Sequence, residues 1–119
     1  MQIYYLGAKI CVSQIFFVPL HTKWINMLTI KHTETERNGL FEAWLNEVHV
    51  GELTYQRTTP ERMIIDHTRV FEGFEGQGIA RQLVIASVDF ARQNGRIIVP
   101  VCSYARNVLT RTDEYKDIL

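Results

Sequence analysis

Residues 70–84 read VFEGFEGQGIARQLV, with Gly73, Gly76 and Gly78 at spacings i, i+3 and i+5. Upstream, RMIIDHTRVF (62–71) alternates apolar and polar residues as a strand does. On strict alternation Ile64, Asp66, Thr68 and Val70 share one face, and Met63, Ile65, His67 and Arg69 the other. Downstream, Ile79, Leu83, Ala86 and Phe90 recur at helical spacing, and Gly95 stands where a left-handed C-terminal cap belongs. The glycines therefore join a strand to a helix over 78–94. A helix begins with four N–H groups that lack internal partners, and its dipole adds positive potential there. Glycine permits positive φ and close backbone approach, so the segment reads as an anion site suited to phosphate. A turn that merely links strand to helix is the plain alternative.

The rest of the chain supplies the frame. At 119 residues it holds one core. MLTIKHT (27–33) alternates as a first strand; LFEAWLN (40–46) and VHVGELTYQ (48–56) form a hairpin about Asn46-Glu47; RMIIDHTRVF is the fourth strand. RIIVPV (96–101) is apolar on both faces, the pattern of a strand buried inside a sheet. The tail after Cys102 is helical at first and frays towards Leu119. The order β-β-β-β-α-β-α makes an α+β domain over 27–119. Residues 1–26 hold no acidic residue and fit neither a signal peptide nor a membrane span of roughly 20 apolar residues. They read as a leader outside the domain, with an extra packed element or weak membrane anchor as the alternative.

Composition narrows the function. Thirteen Lys+Arg balance thirteen Asp+Glu, and no basic stripe suggests nucleic acid. Cys11 and Cys102 stand far apart in unlike contexts, which argues against a disulfide framework. The four histidines lack metal-ligand spacing. The expectation is a cytoplasmic, metal-free protein with no stable membrane association and no nucleic-acid partner.

Among phosphate loops, the dinucleotide fingerprint needs GxGxxG, whereas GFEGQG (73–78) is GxxGxG; the Walker loop needs Gly-Lys-Ser/Thr, whereas Ile79-Ala80 follow Gly78. EGQGIA (75–80) fits the [QR]xxGx[GA] loop of acetyl-CoA-dependent acyltransferases at all but its first position. With HTRV (67–70) and PVCSY (100–104) at compatible spacing, the chain from Met27 on resembles the GNAT superfamily of N-acetyltransferases, in particular its small YjdJ-like subgroup. The resemblance implies a short GNAT-like fold with a mixed, mostly antiparallel sheet, lacking the last two strands of full-length members.

It further implies acetyl-CoA as cosubstrate and a small or protein amine as acceptor, with a non-catalytic CoA or acyl-CoA binding module as the alternative. The pyrophosphate would rest on the loop at Gly76 and the N–H groups of Gln77, Gly78, Ile79 and Ala80. The pantetheine arm would lie between strands 62–70 and 96–101 against Val70 and Phe71, with the thioester near Cys102 and His67. Glu75, where the family has Gln or Arg, brings a negative charge to the loop. Arg81 is a candidate phosphate contact and Asn107 a pantetheine contact.

For catalysis, His67 is either a general base or a core histidine beside Met63 and Ile65. Cys102, at the end of the buried strand, either carries the acetyl group as a thiolate nucleophile or is a small buried hydrophobe. Tyr104 either donates a proton to the CoA thiolate, as tyrosine does in many GNAT relatives, or caps the core. A backbone N–H near Val70 or Phe71 would polarise the thioester carbonyl.

Overall fold

The computed structural model describes residues 3–5, 12–19 and 27–119. Among these residues seven strands form one sheet whose order follows the chain: β1 (Ile3–Tyr5), β2 (Val12–Pro19), β3 (Met27–Glu34), β4 (Asn38–Leu45), β5 (Val48–Gln56), β6 (Arg62–Val70) and β7 (Ile97–Pro100). Neighbours are antiparallel except β6 and β7, which run parallel. Helix α1 (Ile79–Gln93) crosses between those two strands, and α2 (Ser103–Thr110) with a 3-10 segment (Asp113–Ile118) closes the chain. From Met27 the order is the β-β-β-β-α-β-α expected, and the fold is α+β. The leader reading of 1–26 falls largely outside the described residues. Within it, the backbone of β1 and β2 extends the sheet from β3.

Local chemistry explains the elements. Asn46 accepts φ 58° at the two-residue turn from β4 to β5, a left-handed conformation asparagine tolerates better than most residues. The helical stripe Ile79, Leu83, Ala86 and Phe90 is buried, and it faces Phe41, Leu53, Met63 and Ile65 from the sheet. Burial of each larger side chain contributes ~1.5–3 kcal/mol. Asn94 and Gly95, the latter at φ 63°, end the helix.

Two expectations are corrected. β7 is an edge strand, with Ile97 37% and neighbouring Val101 55% exposed, rather than an interior one. Its apolar run reflects a short strand that covers the core through Ile98 only. The C-terminus does not fray: Tyr115 and Ile118 are buried, and Arg92 of α1 forks onto Asp117 with 2.8 and 2.9 Å bonds.

At the end of the sheet remote from the glycine loop, Glu34 is buried among polar partners. Tyr55 donates to it at 2.6 Å, Arg57 at 3.2 Å, and Arg96 binds both its oxygens. Burial pushes the Glu34 carboxyl up, but the hydrogen bonds from Arg96 and Tyr55 and the charge of Arg57 hold it below its ordinary value. Gly39 makes room for this cluster: a Cβ there would lie 2.1 Å from the Tyr55 ring. No helix among the described residues is long and apolar enough to cross a membrane.

Candidate acyl-transfer site

The site begins where β6 and β7 part. Their parallel register runs from Arg62↔Ile97 to Ile65↔Pro100. The Val101 and Cys102 N–H groups then both donate to the Ile65 carbonyl, at 3.0 and 2.9 Å, and the chain turns away into α2. Beyond that point β6 continues to Val70 with no β7 partner, which opens a gap. The Phe71 N–H donates to Val50 on the β5 side at 2.8 Å. Since backbone groups alternate sides along a strand, Val70 and Thr68 direct theirs into the gap. Of the two amides expected to serve a carbonyl, that of Phe71 is therefore committed to β5.

A β-bulge shapes this stretch. Thr54 pairs with His67 but Tyr55 with Ile65, so Asp66 is the extra residue. Asp66 and His67 are both exposed, on the sheet face away from the helices, and Thr68 is half-buried on the helix side. His67 therefore does not share a face with Met63 and Ile65, as strict alternation predicts, and it is not a core histidine.

The glycine loop lines one wall of the gap. Gly73, Gly76 and Gly78 adopt φ 96°, 81° and 79°, and a Cβ built on any of them meets nothing within 4 Å. Protein does not fill the space they leave. Gly78 is the N-cap of α1, no side chain caps it, and the first turn carries no acidic residue. Gln82 is the first to donate back, to the Gly78 carbonyl at 3.1 Å, which leaves the amides of Ile79, Ala80 and Arg81 facing outward. A cavity of about 360 Å³ lies here, bounded by Val70, Phe74, Gly76, Gly78, Ala80 and Tyr104. The arrangement fits a diphosphate: uncapped amides, left-handed glycines and open room. Glu75 also borders the cavity, but its carboxylate turns back to accept from the Gly73 N–H at 3.1 Å.

Cys102 is the N-cap of α2 and half-buried. Burial pushes its thiol up. The Ala105 amide, the Thr68 hydroxyl and the Tyr104 and Thr68 amides together outweigh that and hold it below the ordinary thiol value. The Thr68 hydroxyl is buried and makes no hydrogen bond among the described residues, so its proton is free to steady the Cys102 thiolate when that forms.

The fold thus brings Val70, Gly76, Gly78, Ile79, Ala80 and Tyr104 to one cavity and Cys102 to its Thr68 side. Ile79 is buried, so it offers its backbone alone. Gln77, Arg81 and Asn107 have exposed side chains that do not border the cavity. The Phe71 ring packs under Arg69 and against His49. Thr68 escaped sequence reading, although it lies within HTRV, because its direction depends on the bulge.

Residues 40–118 match the sequence family described as GCN5-related N-acetyl-transferase. The chain belongs to that family. Among solved structures it is similar to the NMR solution structure of a GCN5-like candidate N-acetyltransferase from Staphylococcus aureus. The two share 32% identity over 66% of this chain and 78% of that one, with a TM-score of 0.55. No curated protein matches. In this GCN5-related chain the family match spans β5, β6, α1, β7 and α2, the elements that build the gap and the loop. Among the described residues no group of His, Cys, Asp and Glu has the arrangement to hold a metal ion.

Proposed function

We propose that this member of the GCN5-related family binds acetyl-CoA at the glycine loop and transfers the acetyl group to an amine, and that it falls within the small YjdJ-like subgroup. The observation that carries the reading is the open, uncapped mouth of α1, lined by three left-handed glycines and continuous with the gap beside Cys102. The pyrophosphate sits on the amides from Gly76 to Ala80, with Arg81 within reach of a phosphate and Gln77 contributing its backbone. The pantetheine arm runs along Val70, and Asn107, one turn into α2, swings in from its exposed position to contact it.

Cys102 is the nucleophile. Its thiolate attacks the acetyl carbonyl, a carbon–sulfur bond forms to Cys102, and the bond to CoA breaks. Tyr104 protonates the departing CoA thiolate. A neutral amine then attacks the Cys102 thioester, a carbon–nitrogen bond forms, and Cys102 leaves as thiolate. The proton lost by the amine returns through water to Tyr104 and restores the phenol, while His67 on the opposite sheet face takes no part in this step. The Val70 amide, directed into the gap, favours the oxyanion in both steps. The chemistry needs a reduced Cys102, and the cytoplasm supplies that condition.

Titration with acetyl-CoA, followed by assay of free thiol with an amine panel, tests this. Saturable heat and amine-dependent thiol release are expected; no heat at millimolar acetyl-CoA sinks the reading. The Glu75 carboxylate beside the cavity favours a second reading, a CoA-binding module with little turnover. Binding without thiol release above background selects it.

A further inference from the structure

A second groove, of about 400 Å³, crosses the sheet face that carries no helix among the described residues. Thr33, Asn38, Leu40, Thr54, Gln56 and Asp66 line it. Thr54 and Gln56 alternate with the buried Leu53 and Tyr55, which puts them on the face opposite α1. Asp66, the one charged lining residue among those described, is held by two hydrogen bonds, from Thr54 at 2.6 Å and Gln56 at 2.9 Å. Each of its oxygens keeps an unused lone pair, and no lysine or arginine among the described residues lines the groove. An anchored carboxylate surrounded by neutral hydroxyls and amides suits an ammonium group.

Position gives the groove its meaning. Asp66 is the extra residue of the β6 bulge, next to Ile65, whose carbonyl marks the point where β7 departs. Thr68, two residues on, lines the acyl-site cavity on the other side of the same strand. At ~3.3 Å per residue, the two backbone positions are ~6–7 Å apart. One strand therefore separates the outer groove from the acyl site.

We infer that this groove binds the acceptor, and that the acceptor is an aliphatic di- or polyamine. The inference rests on the acyl-transfer reading for its second nitrogen but not for its first. A nitrogen held on Asp66 stays protonated and cannot attack. A second, neutral nitrogen at the end of a short chain passes the edge of β6 and reaches the thioester. It forms the carbon–nitrogen bond as the carbon–sulfur bond to Cys102 breaks, and its surplus proton returns through water to Tyr104, which had protonated the CoA thiolate. The products are a mono-acetylated amine and a thiol.

The test uses the full chain and 1,4-diaminobutane, with n-butylamine as the single-nitrogen control. Amide chemical shifts are followed first without CoA. Saturable shifts at Thr54, Gln56 and Asp66 with the diamine, and at least tenfold weaker binding of butylamine, are expected. Asp66→Asn should weaken diamine binding tenfold or more, as loss of a charge-assisted contact does. Asp66→Glu, which keeps the charge, should recover part of it. Added salt should weaken the wild-type complex. In the thiol-release assay Asp66→Asn should raise KM for the diamine tenfold or more, with the acetyl-CoA dissociation constant unchanged. No shift at these residues, or equal affinity in Asp66→Asn with an intact amide spectrum, overturns the inference. Diamine binding without acetyl transfer leaves the groove standing and defeats the acyl-transfer reading instead.

Discussion

His32 shows how one atom's bonding sets a property of the fold. It is fully buried, stacked on Phe41 at 4.1 Å and met edge-on by Phe90 at 4.3 Å. Its Nε2 lies 2.6 Å from the Tyr55 hydroxyl, whose single proton goes to the Glu34 carboxylate. A carboxylate only accepts, so Nε2 must carry the proton and donate to Tyr55, which leaves Nδ1 bare and without a partner. Protonating Nδ1 would bury an unpaired cation, and burial lowers the His32 pKa from 6.5 to about 4, with Arg96 adding to it and Glu34 opposing. Because the folded value is the lower one, the neutral ring stabilises fully above about 6.5. That contribution is lost as pH falls through the folded value near 4. The loss is roughly 3 kcal/mol across the window. Urea midpoints at pH 7 and pH 4.5 should differ by much less in His32→Phe than in the wild type.

Cys102 makes the matching residue-scale case in the acyl site. Its thiol is held below the ordinary 9.0, so the pH profile of acetyl uptake should inflect below that value, uptake rising with pH as thiolate forms. Mass spectrometry of rapidly quenched samples should find acetyl on Cys102 and none on Cys102→Ala, with acetyl-CoA affinity similar in both. Absence of label in the wild type would remove the covalent route.

At the scale of elements, two glycines with opposite environments separate folding from binding. Gly78 at φ 79° has open space around its missing Cβ. Gly78→Ala should cost only the left-handed conformation, ~1–2 kcal/mol of stability. The loop it caps should lose at least tenfold in acetyl-CoA affinity, read by calorimetry. Gly39 is at the other extreme: a methyl group there would overlap the Tyr55 ring and force it off Glu34. Gly39→Ala should destabilise by about 3 kcal/mol in chemical denaturation, since overpacking and a broken polar network combine. Its effect on acetyl-CoA affinity should be small, because the loop lies at the opposite end of α1.

The glycine–helix unit was legible because it is local: spacing, helical stripe and C-terminal glycine all lie within 23 residues. The β6 bulge was not. It arises from register against β5, where Tyr55 must face the core to reach Glu34 and Thr54 must pair with His67. Nothing in RMIIDHTRVF itself breaks the alternation, so the reading put His67 and Thr68 on the wrong faces.

At the scale of the whole molecule, Glu34 ties β3 to β5 through Tyr55, to the following turn through Arg57, and to the start of β7 through Arg96. Glu34→Ala leaves two buried-side arginines without their counter-charge and should cost about 3–5 kcal/mol. Its lowered pKa means that this contribution is present above 4.5 and is lost as pH falls through the lower folded value. Acid destabilisation should therefore be shallower in Glu34→Ala than in the wild type. On the proposed function, acetyl-CoA should bind the folded chain and raise its melting temperature. The linkage amounts to ~2.7 kcal/mol at a hundred times its dissociation constant.

The amino-acid order by itself determined the β-β-β-β-α-β-α succession, the helix mouth with its glycines and the kinship those motifs imply, because each is carried by residues close in the chain. Only the tertiary structure decided that β7 lies at an edge, that Thr68 rather than His67 turns toward Cys102, that a helix-free face carries a groove at Asp66, and that Glu34 gathers two arginines and a tyrosine. Those outcomes depend on pairings between residues up to 62 positions apart, such as Glu34 and Arg96. No local periodicity encodes which partner a buried charge will find once the strands are in register.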